Sequence, residues 1–201
     1  MPAKTNIPMA PIFGGVAALL LGIGGFLVIR QANQARASIP VLGQLPDFGF
    51  VQQDGRPFGL KEMNGKLNVV DFIFTSCRDQ CPLMTGEMAQ LHRALQGSDK
   101  VRFVSITVDP ARDSLSVLRQ YASSFGANDD RWVFLWAPLA DVVKLSEQGF
   151  MLSAQDLPEG HSSKFVLVDQ DGLIRGYFDG TDDASLKALL TDIRELAKAI
   201  P

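Results

Sequence analysis

Apolar residues recur along this chain with two periods, and near its start they form one unbroken block. From Leu67 to Thr75 (LNVVDFIFT) the run is apolar, β-branched and aromatic, interrupted only by Asn68 and Asp71. That is the pattern of a strand covered on both faces. Val101–Val108 (VRFVSITV) repeats it and is closed by Asp109-Pro110, and Val133–Trp136 is a shorter third strand. Between these runs the spacing becomes helical. Met84, Met88, Leu91 and Leu95 fall at i, i+4, i+7 and i+11 and predict a helix over about Pro82–Gln96. Leu115, Leu118, Ala122 and Phe125 predict a second, with Asp113 or Ser114 as its N-cap. A third runs from Leu139 to about Gln148, and Leu186, Leu189, Leu190, Ile193, Leu196 and Ala197 mark a closing helix.

Two hairpins complete the pattern. Phe48–Leu60 flanks Asp54-Gly55, a dipeptide suited to a type I′ turn, and Lys164–Asp169 and Leu173–Phe178 flank Asp171-Gly172. Ser153–Ser163 reads as a polar loop. Strands alternating with helices imply a mainly parallel central sheet, and the terminal β-hairpin-α adds antiparallel strands at one side. The expected class is therefore α/β with a thioredoxin-like fold, a central mixed sheet flanked by helices.

The unbroken block is Ile12–Ile29 (IFGGVAALLLGIGGFLVI), inside a stretch from Thr5 that holds no charge. As a helix it would rise about 27 Å, close to the hydrocarbon thickness of a bilayer. Signal-peptide cores are shorter, which favours an uncleaved transmembrane anchor, although Ala35-Arg36-Ala37 offers a cleavage-like site. The expected organisation is a short tail over 1–11, an anchor over 12–29, a tether over 30–44 and one folded domain over 45–201. Lys4 on one side of the block faces Arg30 and Arg36 on the other, so charge alone sets no sidedness. Beyond residue 37 the chain carries 16 Lys+Arg against 22 Asp+Glu, which excludes an electrostatic footprint for nucleic acid.

The chain has 2 cysteines, Cys77 and Cys81, three residues apart in FTSCRDQCP where the first buried strand gives way to polar residues. Two are too few for a disulfide scaffold. A disulfide, a redox couple and a metal site all remain open. Pro82 suits the first turn of a helix, which puts both thiols near a helix N-terminus, and the dipole there favours thiolate. Arg78 adds a positive neighbour. A structural disulfide closing so short a loop contributes only about 2 kcal/mol. His161 lies in the polar loop before Lys164–Asp169, and in a thioredoxin-like sheet that loop can approach the cysteine turn. Two thiolates and an imidazole form a soft set that suits Cu(I) and, through the nitrogen, Cu(II).

Other candidates read as structural. Met84 and Met88 belong to the apolar stripe, and His92 flanks that stripe as a surface residue. Asp71 is either buried and paired or turned to a cleft edge. Asp54, Asp171 and Asp129-Asp130 are turn residues.

The segments FTSCRDQCP (Phe74–Pro82), VDPARDS (Val108–Ser114) and HSSKFVLVDQDG (His161–Gly172), in this order behind an apolar N-terminal block, resemble the SCO/SenC copper-binding proteins of cytochrome c oxidase assembly. The resemblance implies a thioredoxin-like domain binding copper through Cys77, Cys81 and His161. It implies a metallochaperone, tethered on the non-cytoplasmic side of a membrane, most simply the periplasmic face of a bacterial inner membrane. Its expected partners are cytochrome c oxidase subunit II or a similar copper protein, and other copper chaperones. Arg78, Gln80 and Gly160 depart from the family pattern and mark a divergent member. The same cysteines could instead serve a thiol-disulfide oxidoreductase that keeps client cysteines reduced. A peroxiredoxin-type peroxidase would need threonine where Phe74 stands.

Overall fold

The computed structural model describes residues 39–78 and 80–200. The tail over 1–11, the anchor over 12–29 and most of the tether lie outside the described residues. Among those described, no helix is long and apolar enough to cross a membrane.

The chain opens with a two-residue strand β1 (Gly43–Gln44), then β2 (Gly49–Gln52), β3 (Pro57–Gly59) and the one-turn helix α1 (Leu60–Met63). Next come β4 (Leu67–Ile73), α2 (Gln80–Ala94), β5 (Val101–Thr107), α3 (Leu115–Ser124) and β6 (Trp132–Trp136). Helix α4 (Leu139–Lys144) runs on into a π-helical turn, Leu145–Gly149, before β7 (Lys164–Val168), β8 (Leu173–Asp179) and α5 (Asp183–Ala197). One sheet holds the strands in the order β1-β8-β7-β4-β5-β6-β2-β3.

Only β4, β5 and β6 pair in parallel. Antiparallel strands flank them on both sides, β7 and β8 beside β4, and β2 and β3 beside β6. The expectation of a mainly parallel sheet with antiparallel strands at one side is corrected: the opening hairpin docks on the far edge, pairing Val51 with Trp136. The hairpin's turn also differs from expectation. Its loop joins Gln52 to Pro57, and only Gly55 takes a positive φ, 92°, whereas a type I′ turn needs two such residues. Arg56, bonded to both Asp54 oxygens at 3.0 and 2.6 Å, holds the longer loop in shape.

Strand β4 explains why its sequence is almost continuously apolar. Leu67, Val69 and Ile73 enter one core with Met84 and Met88 of α2, Leu118 of α3 and Leu189 and Ile193 of α5. Val70 and Phe72 enter a second core, on the other face, with Phe50, Phe58, Val142 and Phe150. Each such side chain, taken fully out of water, contributes about 1.5–3 kcal/mol. Asn68 survives in this strand because its amide donates to the carbonyls of Met63 and Lys66, both at 2.9 Å.

His92 is not a surface residue. It is 7% exposed, stands edge-on to Phe103 with centroids 5.4 Å apart, and its Nε2 lies 3.0 Å from Asp129 and 2.9 Å from Arg131. Position i+8 from Met84 is the edge of a stripe at least 100° wide, and the segment before β6 closes over it. Asp129 thus has a partner on α2 besides its role in the turn. At the far hairpin, Arg175 pairs with Asp169 at 2.7 Å, both buried, and also donates to the carbonyls of Ile39 and Pro40. This clamps the incoming chain to the β7–β8 turn.

Candidate metal centre

The site forms where β4 ends and α2 begins, at the carboxyl edge of the parallel strands, the usual location for ligands in α/β sheets. Helix α2 starts at Gln80, so Cys77 precedes it and Cys81 occupies its first turn with Pro82. The Cys81 N–H points at Cys77 Sγ, 3.5 Å away, so the sulfur sits where a capping oxygen would. Cys77 is half-buried and Cys81 fully buried, and both are free thiols.

The turn carrying Cys77 is fixed from the neighbouring strand. Asp113, fully buried, accepts from the Thr75 N–H at 3.1 Å, from Thr75 Oγ1 at 2.5 Å and from Thr107 Oγ1 at 2.6 Å. It is presented by a tight turn in which the Asp109 carbonyl accepts from Arg112 and Asp113, while Asp109 pairs with Arg112 at 3.1 Å. Ser114 then caps α3 by accepting from the Val117 N–H. Of the two expected cap candidates, Ser114 caps and Asp113 locks the ends of β4 and β5 together. Replacing Asp113 with alanine is expected to weaken metal binding at the cysteine turn by about 10–100-fold. Competitive chelator titration of the folded variant checks this.

His161 approaches from the loop before β7. Its Nε2 lies 3.0 Å from Cys81 Sγ, across 80 residues of sequence. Its Nδ1 lies 3.2 Å from the Ser162 carbonyl, which can only accept, so Nδ1 carries the proton and Nε2 presents a lone pair to the sulfur atoms. Phe74 holds the ring edge-on, with centroids 5.5 Å apart at 84°. Burial lowers the imidazole pKa, partly offset by the Ser162 and Phe72 carbonyls, which keeps the ring neutral near pH 7. Burial also pushes the Cys81 thiol well above its ordinary range. Without a cation, Cys81 therefore stays protonated.

Cys77, Cys81 and His161 place their ligand atoms within 4.8 Å of one another. All three sequence candidates come together. Met84 and Met88 are fully buried in the core, as their spacing indicated. Arg78 is exposed. The role of Asp113 was hidden because its sequence neighbourhood also suits an N-cap. Asp71, expected to be paired or at a cleft edge, is neither: it is fully buried and no hydrogen-bond partner reaches either oxygen.

Two thiols and a neutral imidazole converging on one point, at the end of a buried strand in a mixed α/β domain, define a protein able to hold a soft metal ion or to cycle a dithiol. Residues 42–198 match the SCO1/SenC family model, and the chain belongs to that family. Among solved structures it is similar to a SCO1/SenC family lipoprotein from Bacillus anthracis, at 33% identity and a TM-score of 0.71, covering 77% of this chain and 95% of that one. It is similar at 28% identity and a TM-score of 0.71 to BsSco, a member of the Sco family of cytochrome c oxidase assembly proteins in which a disulfide switch was identified, covering 79% and 96%. Bradyrhizobium japonicum ScoI, solved with copper bound, is 27% identical with a TM-score of 0.62, covering 74% and 98%.

Proposed function

We propose that this protein is a copper chaperone of thioredoxin-like fold, tethered to a membrane through its N-terminal apolar segment, that binds copper through Cys77, Cys81 and His161. Its client is the dinuclear copper centre of cytochrome c oxidase subunit II or a similar copper protein. The observation that carries this reading is the convergence of two sulfurs and one nitrogen within 4.8 Å. That donor set suits copper in both oxidation states. A copper-bound relative and a relative described as a lipoprotein support the metal and the membrane attachment. The domain then lies on the non-cytoplasmic side, the periplasmic face in a bacterium.

The burial pattern suits cargo that must leave again. Cys81 and His161 are buried and preorganised, whereas Cys77 is half-buried and gives the site one open side. An incoming ligand from a client or from another chaperone can displace Cys77 first, while the other two donors keep their positions. Leu83, 63% exposed on the first turn of α2, and the exposed Arg78 flank that approach.

A second reading, a thiol-disulfide oxidoreductase acting on client cysteines, is favoured by the position of Cys77 Sγ against the Cys81 N–H at the start of α2. Metal analysis separates the two. The reduced protein, titrated with Cu(I) under a competing chelator, is expected to bind one equivalent per chain. No retained copper with intact dithiol cycling would leave the oxidoreductase reading.

A further inference from the structure

The group that the site does not yet use is Asp71. Side chains of β4 alternate between the two cores, and Asp71 shares the face of Val69 and Ile73, beneath α2. A carboxyl group buried without a hydrogen bond is costly and uncommon, so its retention calls for a function.

Its surroundings are polar only toward the cysteines. From β5 it faces Ser105, its register partner, whose hydroxyl accepts from Trp132 Nε1 at 3.0 Å. From α2 and α3 come Cys81 and the pair Thr85 and Tyr121, whose hydroxyls are 3.0 Å apart. The β7 and α5 side chains of this core, Phe165, Leu167, Leu189 and Ile193, are apolar. Negative charge on Asp71 disfavours ionisation of both Cys81 and Tyr121, as Cys77 does also. His161 lies beyond, against Cys81, and His92 is held away by Asp129 and Arg131. Among the described residues of this core, no cation is paired with Asp71. Burial raises its carboxyl to about 7, against a smaller pull from Ser105.

Ionising Cys81 beside an ionised Asp71 would place two negative charges in one dry core. One proton shared between them avoids this. We propose that Asp71 is the proton acceptor for the Cys81 thiol whenever that thiol must react. The S–H bond of Cys81 breaks, an O–H bond forms on the Asp71 carboxylate, and the sulfur keeps the electron pair; no electrons leave the pair. The net charge of the core is unchanged, so the buried thiol reacts near neutral pH despite its environment. Asp71 thereby positions a proton and touches neither metal nor client. The inference rests on Cys77 and Cys81 being the working thiols, and its test uses the metal-free protein so that it is decided separately from copper binding.

The reduced protein is mixed with an aromatic disulfide, 4,4′-dithiodipyridine, which supplies the oxidising equivalents. Cys77, the accessible thiol, attacks first, forming a mixed disulfide and releasing one thiopyridone. Cys81, its proton passed to Asp71, then displaces the second thiopyridone and closes the Cys77–Cys81 disulfide. The two releases are resolved by stopped-flow absorbance. In wild type the second step should accelerate as pH rises through about 7, because below that pH Asp71 is protonated and accepts nothing. In Asp71→Asn the first step should be unchanged, the second slower by about tenfold or more at pH 8, and the inflection near 7 lost. Equal second-step rates and pH profiles in the two proteins would overturn the proposal. Should Asp71→Asn fold poorly, infrared difference spectra of wild type, reduced minus oxidised, decide the matter. They should show a pH-dependent protonated-carboxyl band, and its absence would also overturn the proposal.

Discussion

Serine at either Cys77 or Cys81 is expected to remove tight Cu(I) binding. Cu(I) is a soft ion whose best donors here are the two thiolates, and the hydroxyl of serine is neither soft nor ionised near neutral pH. With one thiolate and one imidazole left, the loss is about 4 kcal/mol or more, about a thousandfold in affinity. The two variants should differ in another respect. Cys81 is fully buried and its Sγ touches His161 Nε2, so Cys81→Ser also changes the environment of the imidazole. Cys77→Ser removes the half-exposed donor and the sulfur that caps the Cys81 N–H, leaving the buried pair in place. Folding should survive both changes, since a hydroxyl can accept the same N–H and no disulfide is present to lose. Competition against a Cu(I) chelator measures the loss, and circular dichroism confirms the fold. Unchanged affinity in either variant would remove the shared thiolate site.

Much of this arrangement could be read from the chain because the relevant signals are local. Leu67–Thr75 announces a strand buried on both faces, and Met84, Met88 and Leu91 announce the helix that covers it. The cysteines fall at their junction, so the position of the site follows from two neighbouring elements. What escaped depends on contacts across long separations. The opening hairpin's partner, β6, lies 80 residues onward, and no pattern within Phe48–Leu60 says which sheet edge it takes. His92 has the same helical phase as a flanking surface residue until Asp129 and Arg131 close over it. Asp113 satisfies a cap rule by sequence, yet its three hydrogen bonds go to Thr75 and Thr107. His161 is the instructive case. By composition it is an ordinary loop histidine, and only its place in the motif HSSKFVLVDQDG set it apart before the fold brought Nε2 to Cys81.

His161→Ala should separate the two oxidation states of copper. Cu(I) is satisfied by two thiolates, so the variant should keep most of its Cu(I) affinity. Cu(II) is harder and prefers nitrogen and oxygen donors in a tetragonal arrangement, so it should lose much more, about 10–100-fold if the imidazole counts as strongly as a typical supporting ligand. The structure gives a reason for the size of the effect. The Ser162 carbonyl fixes the Nδ1–H tautomer, Phe74 fixes the ring plane, and burial keeps the imidazole neutral, so the nitrogen is presented without reorganisation. Alanine removes the donor and the ring's packing together; glutamine, which restores polar bulk without an imidazole nitrogen, should not rescue Cu(II). Were the chain solely a thiol-disulfide oxidoreductase, His161→Ala would shift the reduction potential or rate of the Cys77/Cys81 pair and leave no copper phenotype, since the imidazole would act only through Cys81. Titrating both oxidation states into wild type and variant, following the thiolate-to-Cu(II) charge-transfer band, distinguishes the cases. Equal Cu(II) affinity would take His161 out of the site and leave a two-sulfur centre, for which a dithiol oxidoreductase is the better description.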